Sequence, residues 1–133
     1  MKLFKTKLMF AGVLLSFCSG VFALPDITGN WKCTWYDSTQ NKNASVSGEI
    51  KKTGDIYSLV NWKMDGSDEV RTGTGIHYDQ MKNSLAIIGW SNNNSNDVGF
   101  GIYEIKSANK IVGLWASKNG KITSDETCER VKA

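Results

Sequence analysis

The chain has 133 residues, 41% hydrophobic and 22% charged, a balance that fits a folded domain and excludes a disordered or collagen-like polymer. Its formal net charge of +3 resides in Lys2, Lys5 and Lys7, because from residue 24 onward 13 Lys and Arg face 13 Asp and Glu. With that neutrality, and with no basic run interleaved with aromatics, the composition excludes nucleic acid as a partner.

The three lysines precede an apolar run from Leu8 to Phe17, and Val21-Phe22-Ala23 supplies small residues where a signal peptidase reads. The sequence predicts a signal peptide over 1–23, cleaved after Ala23, and one exported domain, secreted or periplasmic, over 24–133. The run is about half the roughly 20 residues that a bilayer-spanning helix needs, so no membrane span is expected. Phe17 is bulky where a lipoprotein signal takes a small residue before its cysteine, which argues against a lipid on Cys18. Cys33 and Cys128 then remain, and an even pair in an oxidising compartment predicts a disulfide; two buried free thiols are the alternative.

Beyond residue 24 the apolar segments are rich in Trp, Tyr, Val and Ile and are separated by turn formers. Strands are predicted at 28–37, 44–52, 56–64, 69–78, 84–90, 97–106, 110–117 and 121–131. Links such as "TGD", "MDGSD", "SNNNSN" and "KNG" are short, which favours antiparallel neighbours. The expected fold is all-β: a single eight-stranded antiparallel up-and-down barrel, with a sandwich as the alternative.

Alternation places Trp31, Cys33 and Trp35 on the inner face of the first strand. On the last predicted strand Ile122, Ser124, Glu126, Cys128 and Arg130 share one face, which sets Glu126 and Arg130 inside or at a rim. Gly99 and Gly101, inward beside Trp90 and Trp115, would remove side-chain volume and leave an aromatic-walled cavity; twist or bending of the strand is the other use of those glycines. With Trp90, Tyr103 and Trp115 inward, the outward set is Leu85, Ile87 and Gly89, then Val98, Phe100 and Ile102, then Val112 and Leu114. An apolar outer face of this kind predicts a homo-oligomer through strands five to seven.

"ITGNW" at 27–31 resembles the opening strand of avidin and streptavidin. The resemblance continues in "TGIHYD", in "LAIIGWSNNNSN" at 85–96, in Trp115 and in "ETCERV". Gly-x-Trp is also the lipocalin entry motif, so the wider likeness is to small secreted calycin barrels that hold one small ligand. The resemblance implies that Trp90 and Trp115 line the pocket and that Glu126 stands where the family has an aspartate that polarises biotin. Cys33 replaces an asparagine of the biotin site, Gly99 and Gly101 replace a serine and a threonine, and Tyr103 replaces the next aromatic. The walls are matched better than the polar contacts, which points away from biotin itself.

No catalytic constellation is visible. His77 is the sole histidine, the serines lack a nucleophile-elbow pattern, and no Cys, His or carboxylate spacing matches a metal site. Asp65, Asp68 and Glu69 fit a hairpin tip and no calcium loop. "NAS" at 43–45 and "NNS" at 93–95 match glycosylation acceptors. The expected function is non-enzymatic, with no cofactor and no metal: a partly apolar small molecule held against Trp35, Trp62, Trp90, Tyr103 and Trp115, with Glu126 as a polar handle. The alternative is a protein-binding module, such as a periplasmic hydrolase inhibitor or a host-matrix-binding surface protein, acting through the polar loop "GWSNNNSND".

Overall fold

The computed structural model describes residues 24–77, 80–81, 83–123 and 125–132. The predicted leader and its cleavage site, and Ser124, lie outside the described residues. Eight strands, β1 (Gly29–Asp37), β2 (Lys42–Thr53), β3 (Ile56–Met64), β4 (Val70–His77), β5 (Ser84–Ser91), β6 (Val98–Ser107), β7 (Lys110–Ser117) and β8 (Glu126–Arg130), pair antiparallel in chain order. β1 also pairs β8, so the sheet closes into a barrel and leaves no free edge. The described residues contain no helix.

The closing seam is short. β8 spans five residues, and its register with β1 runs from Trp31↔Arg130 to Thr34↔Thr127. Cys33 lies directly opposite Cys128 in that seam, and the two form the disulfide. The bridge therefore staples the barrel at a seam of only four register pairs.

Local rules explain most strand ends and one irregularity. Gly54, Gly66 and Gly120 take positive φ in tight turns, where a side chain would clash with the backbone. On β3 the inward residues are Leu59 and then Trp62, three apart, because a register irregularity with Asn61 at φ 54° resets the alternation. The predicted last strand is corrected at its start: 121–123 and 125 are not strand, although Ala116↔Ile122 forms an isolated bridge and Thr123 N donates to Trp115 O at 2.9 Å. Alternation breaks in this stretch, so Ile122 is 63% exposed rather than inward.

One end of the barrel is closed. Ile27 and Trp31 are fully buried there, and the Trp31 indole Nε1 donates to the Ile27 carbonyl at 2.8 Å. Arg130 clamps the incoming chain: Nη2 donates to the Asp26 carbonyl at 2.6 Å, Nη1 to the Thr28 carbonyl and Nε to the Ala108 carbonyl at 2.9 Å. Its guanidinium lies over the Trp31 ring, 4.9 Å from the centroid. Arg130 is thus a rim residue whose donors are taken up by backbone carbonyls.

Candidate functional site

A cavity of ≈ 210 Å³ occupies the other half of the barrel. Its floor includes Trp31, Leu85, Ile111 and Tyr103, and the disulfide of Cys33 and Cys128 forms part of the wall. Trp35, Trp62, Trp115 and Glu126 also line it. The sequence-predicted residues 35, 62, 103, 115 and 126 therefore converge on one space.

Trp90 does not join them. On β5 the cavity wall is made by Leu85, Ile87 and Gly89, and Trp90 sits on the outer face opposite Thr72 and Val98. The expected outward set on β5 is corrected accordingly: Ala86, Ile88 and Trp90 face out, while Leu85, at 1% exposed, is core. The expected faces of β6 and β7 hold, with Phe100 56%, Ile102 67% and Leu114 43% exposed.

The glycines shape the cavity differently from simple removal of volume. A Cβ on Gly99 would lie 2.3 to 2.7 Å from three atoms of the Trp115 indole, and one on Gly48 2.5 to 2.7 Å from three atoms of the Trp62 indole. The three Trp62 atoms belong to the five-membered ring, so that indole lies flat on Gly48 with its other face toward the lumen, whereas the three Trp115 atoms run along one edge, so Gly99 seats that indole by its Nε1 edge. Gly101 and Gly113 leave room for Tyr103, whose Cε2 would overlap a Cβ on Gly101 and whose Cδ1 would overlap one on Gly113. The space beside the strands is filled by rings, and the central space stays open.

One ionisable group is buried among these rings. Glu126, 5% exposed, enters from the first residue of β8, and burial pushes its carboxyl up to about 7 despite the hydrogen bond from Tyr103, which favours the ionised form. Burial also raises the Tyr103 phenol, and the nearby carboxylate adds to that rise. Glu126 Oε1 is 3.8 Å from Cys128 Sγ, but the disulfide sulfur carries no proton to donate. Cys33, Glu126 and Cys128 converge closely enough for a metal, yet both sulfurs are committed to each other and leave a single carboxylate ligand.

The mouth carries the other charge. Arg71 lines the cavity from β4, and its Nη2 is held by Asp97 Oδ2 at 2.6 Å and Glu69 Oε1 at 3.2 Å. Thr72 Oγ1 donates to Asn92 Oδ1 at 2.6 Å, so the polar loop 92–97 is tied to β4 beside the opening. Asp65, from the predicted acidic tip, accepts from Ser45 and lies 3.5 Å from Lys32 Nζ. His77 ends β4, half-buried opposite Leu85, and is not a cavity residue. Sequence reasoning missed Arg71, Val46, Met64 and the Arg130 clamp; the signal for the clamp was an Arg two residues beyond a Cys already expected to face Cys33.

No family model matches the chain, and no curated protein matches it. Among solved structures it is similar to one described as "Structure of a redesigned beta barrel, mFAP1, bound to DFHBI", with a TM-score of 0.61 and 11% identity over 78% of this chain and 94% of that one. At that identity the likeness establishes the fold, a closed eight-stranded antiparallel barrel.

Proposed function

We propose that the protein is an exported, non-enzymatic binding protein that holds one small, partly apolar molecule in its barrel, in the manner of the avidin-like and lipocalin-like barrels its sequence resembles. The carrying observation is the cavity: ≈ 210 Å³, lined by Trp31, Trp35, Trp62 and Trp115, with a single buried carboxyl among them. An apolar cavity of about 150 Å³ suffices for benzene, so this one suits a ring with a short arm. The disulfide supports export. Titrating intrinsic tryptophan fluorescence of the 24–133 domain with biotin and a panel of small aromatic compounds tests the reading. Saturable quenching by a member of the panel supports it; no response across the panel removes it.

The outer surface of β5–β7 favours self-association as part of the same function. Ile88↔Phe100 and Ile102↔Leu114 are register partners, and with Trp90 and Val98 they form a continuous apolar area across three strands. A lone domain seldom leaves such an area in water, and barrel-to-barrel packing covers it.

A further inference from the structure

We infer that the ligand is an organic cation: an ammonium on a small aromatic or alkyl body, ion-paired to Glu126 and lying against the lumen-facing rings of Trp62 and Trp115. The inference rests on the ligand-binding reading above and narrows it to a chemical class.

The first ground is charge. Glu126 is buried in a lumen whose wall holds one cationic side chain among the described residues. The remaining charged group of the cavity wall, Arg71, is occupied by two carboxylates of its own, Asp97 and Glu69. Once Glu126 ionises, above about pH 7, the site therefore has unmatched negative charge and no free positive group for an anion. A buried carboxylate is held far more favourably when a cation shares its cavity, and an entering ammonium supplies one.

The second ground is ring orientation. Gly48 holds the Trp62 indole flat, so the cavity meets its π face, and Trp115, seated on Gly99 along its Nε1 edge, lines the same space. The Trp62 Nε1 proton is already donated to the Glu49 carbonyl at 3.1 Å, leaving that indole with only its face to offer. The negative faces of tryptophan rings attract cations, most strongly when the partner is desolvated. A carboxylate beside such faces matches an ammonium group better than it matches a neutral polar one.

The groups sharing the lumen with Glu126 set the pH behaviour. β6 contributes Tyr103, whose raised phenol stays protonated near neutrality, and β4 contributes Arg71. β1 contributes Trp31, Trp35 and the disulfide-bonded Cys33, and β7 contributes Ile111 and Trp115. The cavity residues of β2, β3 and β5 are uncharged. Proton and ligand then compete for one carboxylate.

The test uses three probes of matched size on the domain: 2-phenylethylammonium, 2-phenylethanol and phenylacetate. Calorimetry at pH 8 should show the ammonium binding at least tenfold more tightly than the alcohol, and phenylacetate more weakly than either. Between pH 8 and pH 5 ammonium affinity should fall to about that of the alcohol as the proton occupies Glu126, while alcohol affinity stays level. Glu126→Gln should equalise ammonium and alcohol; because the wild-type pH series stands alone, a variant that fails to fold leaves the test intact. Equal binding of ammonium and alcohol at pH 8 overturns the cation inference and leaves the cavity reading standing. Silence from all three probes, with other panel compounds binding, overturns the inference alone, and silence from everything overturns both.

Discussion

Replacing Glu126 by Gln should stabilise the fold, and only above a certain pH. The carboxyl of Glu126 is raised from an ordinary 4.5 to about 7, chiefly by burial. The folded state therefore keeps this proton to a higher pH than the unfolded state does. Stability from this group is fully present below about pH 4.5, declines as pH rises toward 7, and is level beyond. At 1.36 kcal/mol per pH unit the decline amounts to roughly 3 kcal/mol. Glutamine keeps the shape and can still accept from Tyr103, but it does not ionise. At pH 4 the two proteins should be equally stable; at pH 8 the variant should lead by roughly 3 kcal/mol, or about 10 °C in melting temperature for a domain of this size. The carboxyls of Asp26, Asp37 and Asp65 are lowered, so their contribution is lost as pH falls, but all three are present in both proteins and cancel in the difference. Urea unfolding from pH 4 to pH 8 measures the difference directly. A gap that does not change with pH, or a variant less stable at pH 8, refutes the assignment of Glu126 as a strained buried acid.

Reducing the disulfide, which closes a separation of 95 residues, should lower stability by about 4 to 5 kcal/mol in the chain-entropy model, and a non-reducing peptide map should contain linked Cys33 and Cys128 peptides. Gly99→Ala places a Cβ 2.3 Å from Trp115 Cζ2 and drives the indole into the lumen, so it should weaken binding of 2-phenylethanol more than tenfold and destabilise by about 1 to 3 kcal/mol, with the far-ultraviolet spectrum retained. Phe100→Glu sets a charge in the middle of the outer apolar area and should weaken self-association at least tenfold by light scattering, while the melting temperature extrapolated to dilute protein stays put; a monomeric wild type refutes the interface.

The barrel was legible because its turns are made of Gly, Asn and Asp and its strands are long enough to count: the predicted limits of β3 and β7 coincide with Ile56–Met64 and Lys110–Ser117. The inner face of β1 and β6 was legible because the other face is polar or exposed, as in Lys32 and Thr34 or in Glu104 and Lys106. β8 was misjudged at its start because "KITSDET" alternates like a strand, although Lys121, Ile122, Thr123 and Asp125 lie mostly outside the ladder. The acid site was legible as a position, through the shared face of Glu126 and Cys128, but the seating of the rings against the glycines was not. That depends on which glycine lies across the barrel wall from which indole, a fact of register.

β5 shows the same dependence on register, and it leads to a last prediction. "LAIIGW" is apolar at every position, so a period of two carries no phase within the strand itself. The phase comes from its neighbours: Gly73, Gly89 and Gly99 are partners in one row, and since Gly99 faces the lumen beneath Trp115, Gly89 must do so too and Trp90 must face out. Trp90 then belongs to the proposed contact between copies, and Trp115 to the ligand. The two tryptophans should report different events. Trp115→Phe should remove much of the quenching produced by 2-phenylethanol, whereas Trp90→Phe should leave it in place and instead remove the fluorescence change that accompanies dilution from oligomer to monomer. Both substitutions keep an aromatic ring, so neither depends on opening a large void in the structure. If Trp90→Phe abolishes ligand quenching while Trp115→Phe does not, the phase of β5 is reversed, and the cavity wall has to be rebuilt around the other face of that strand.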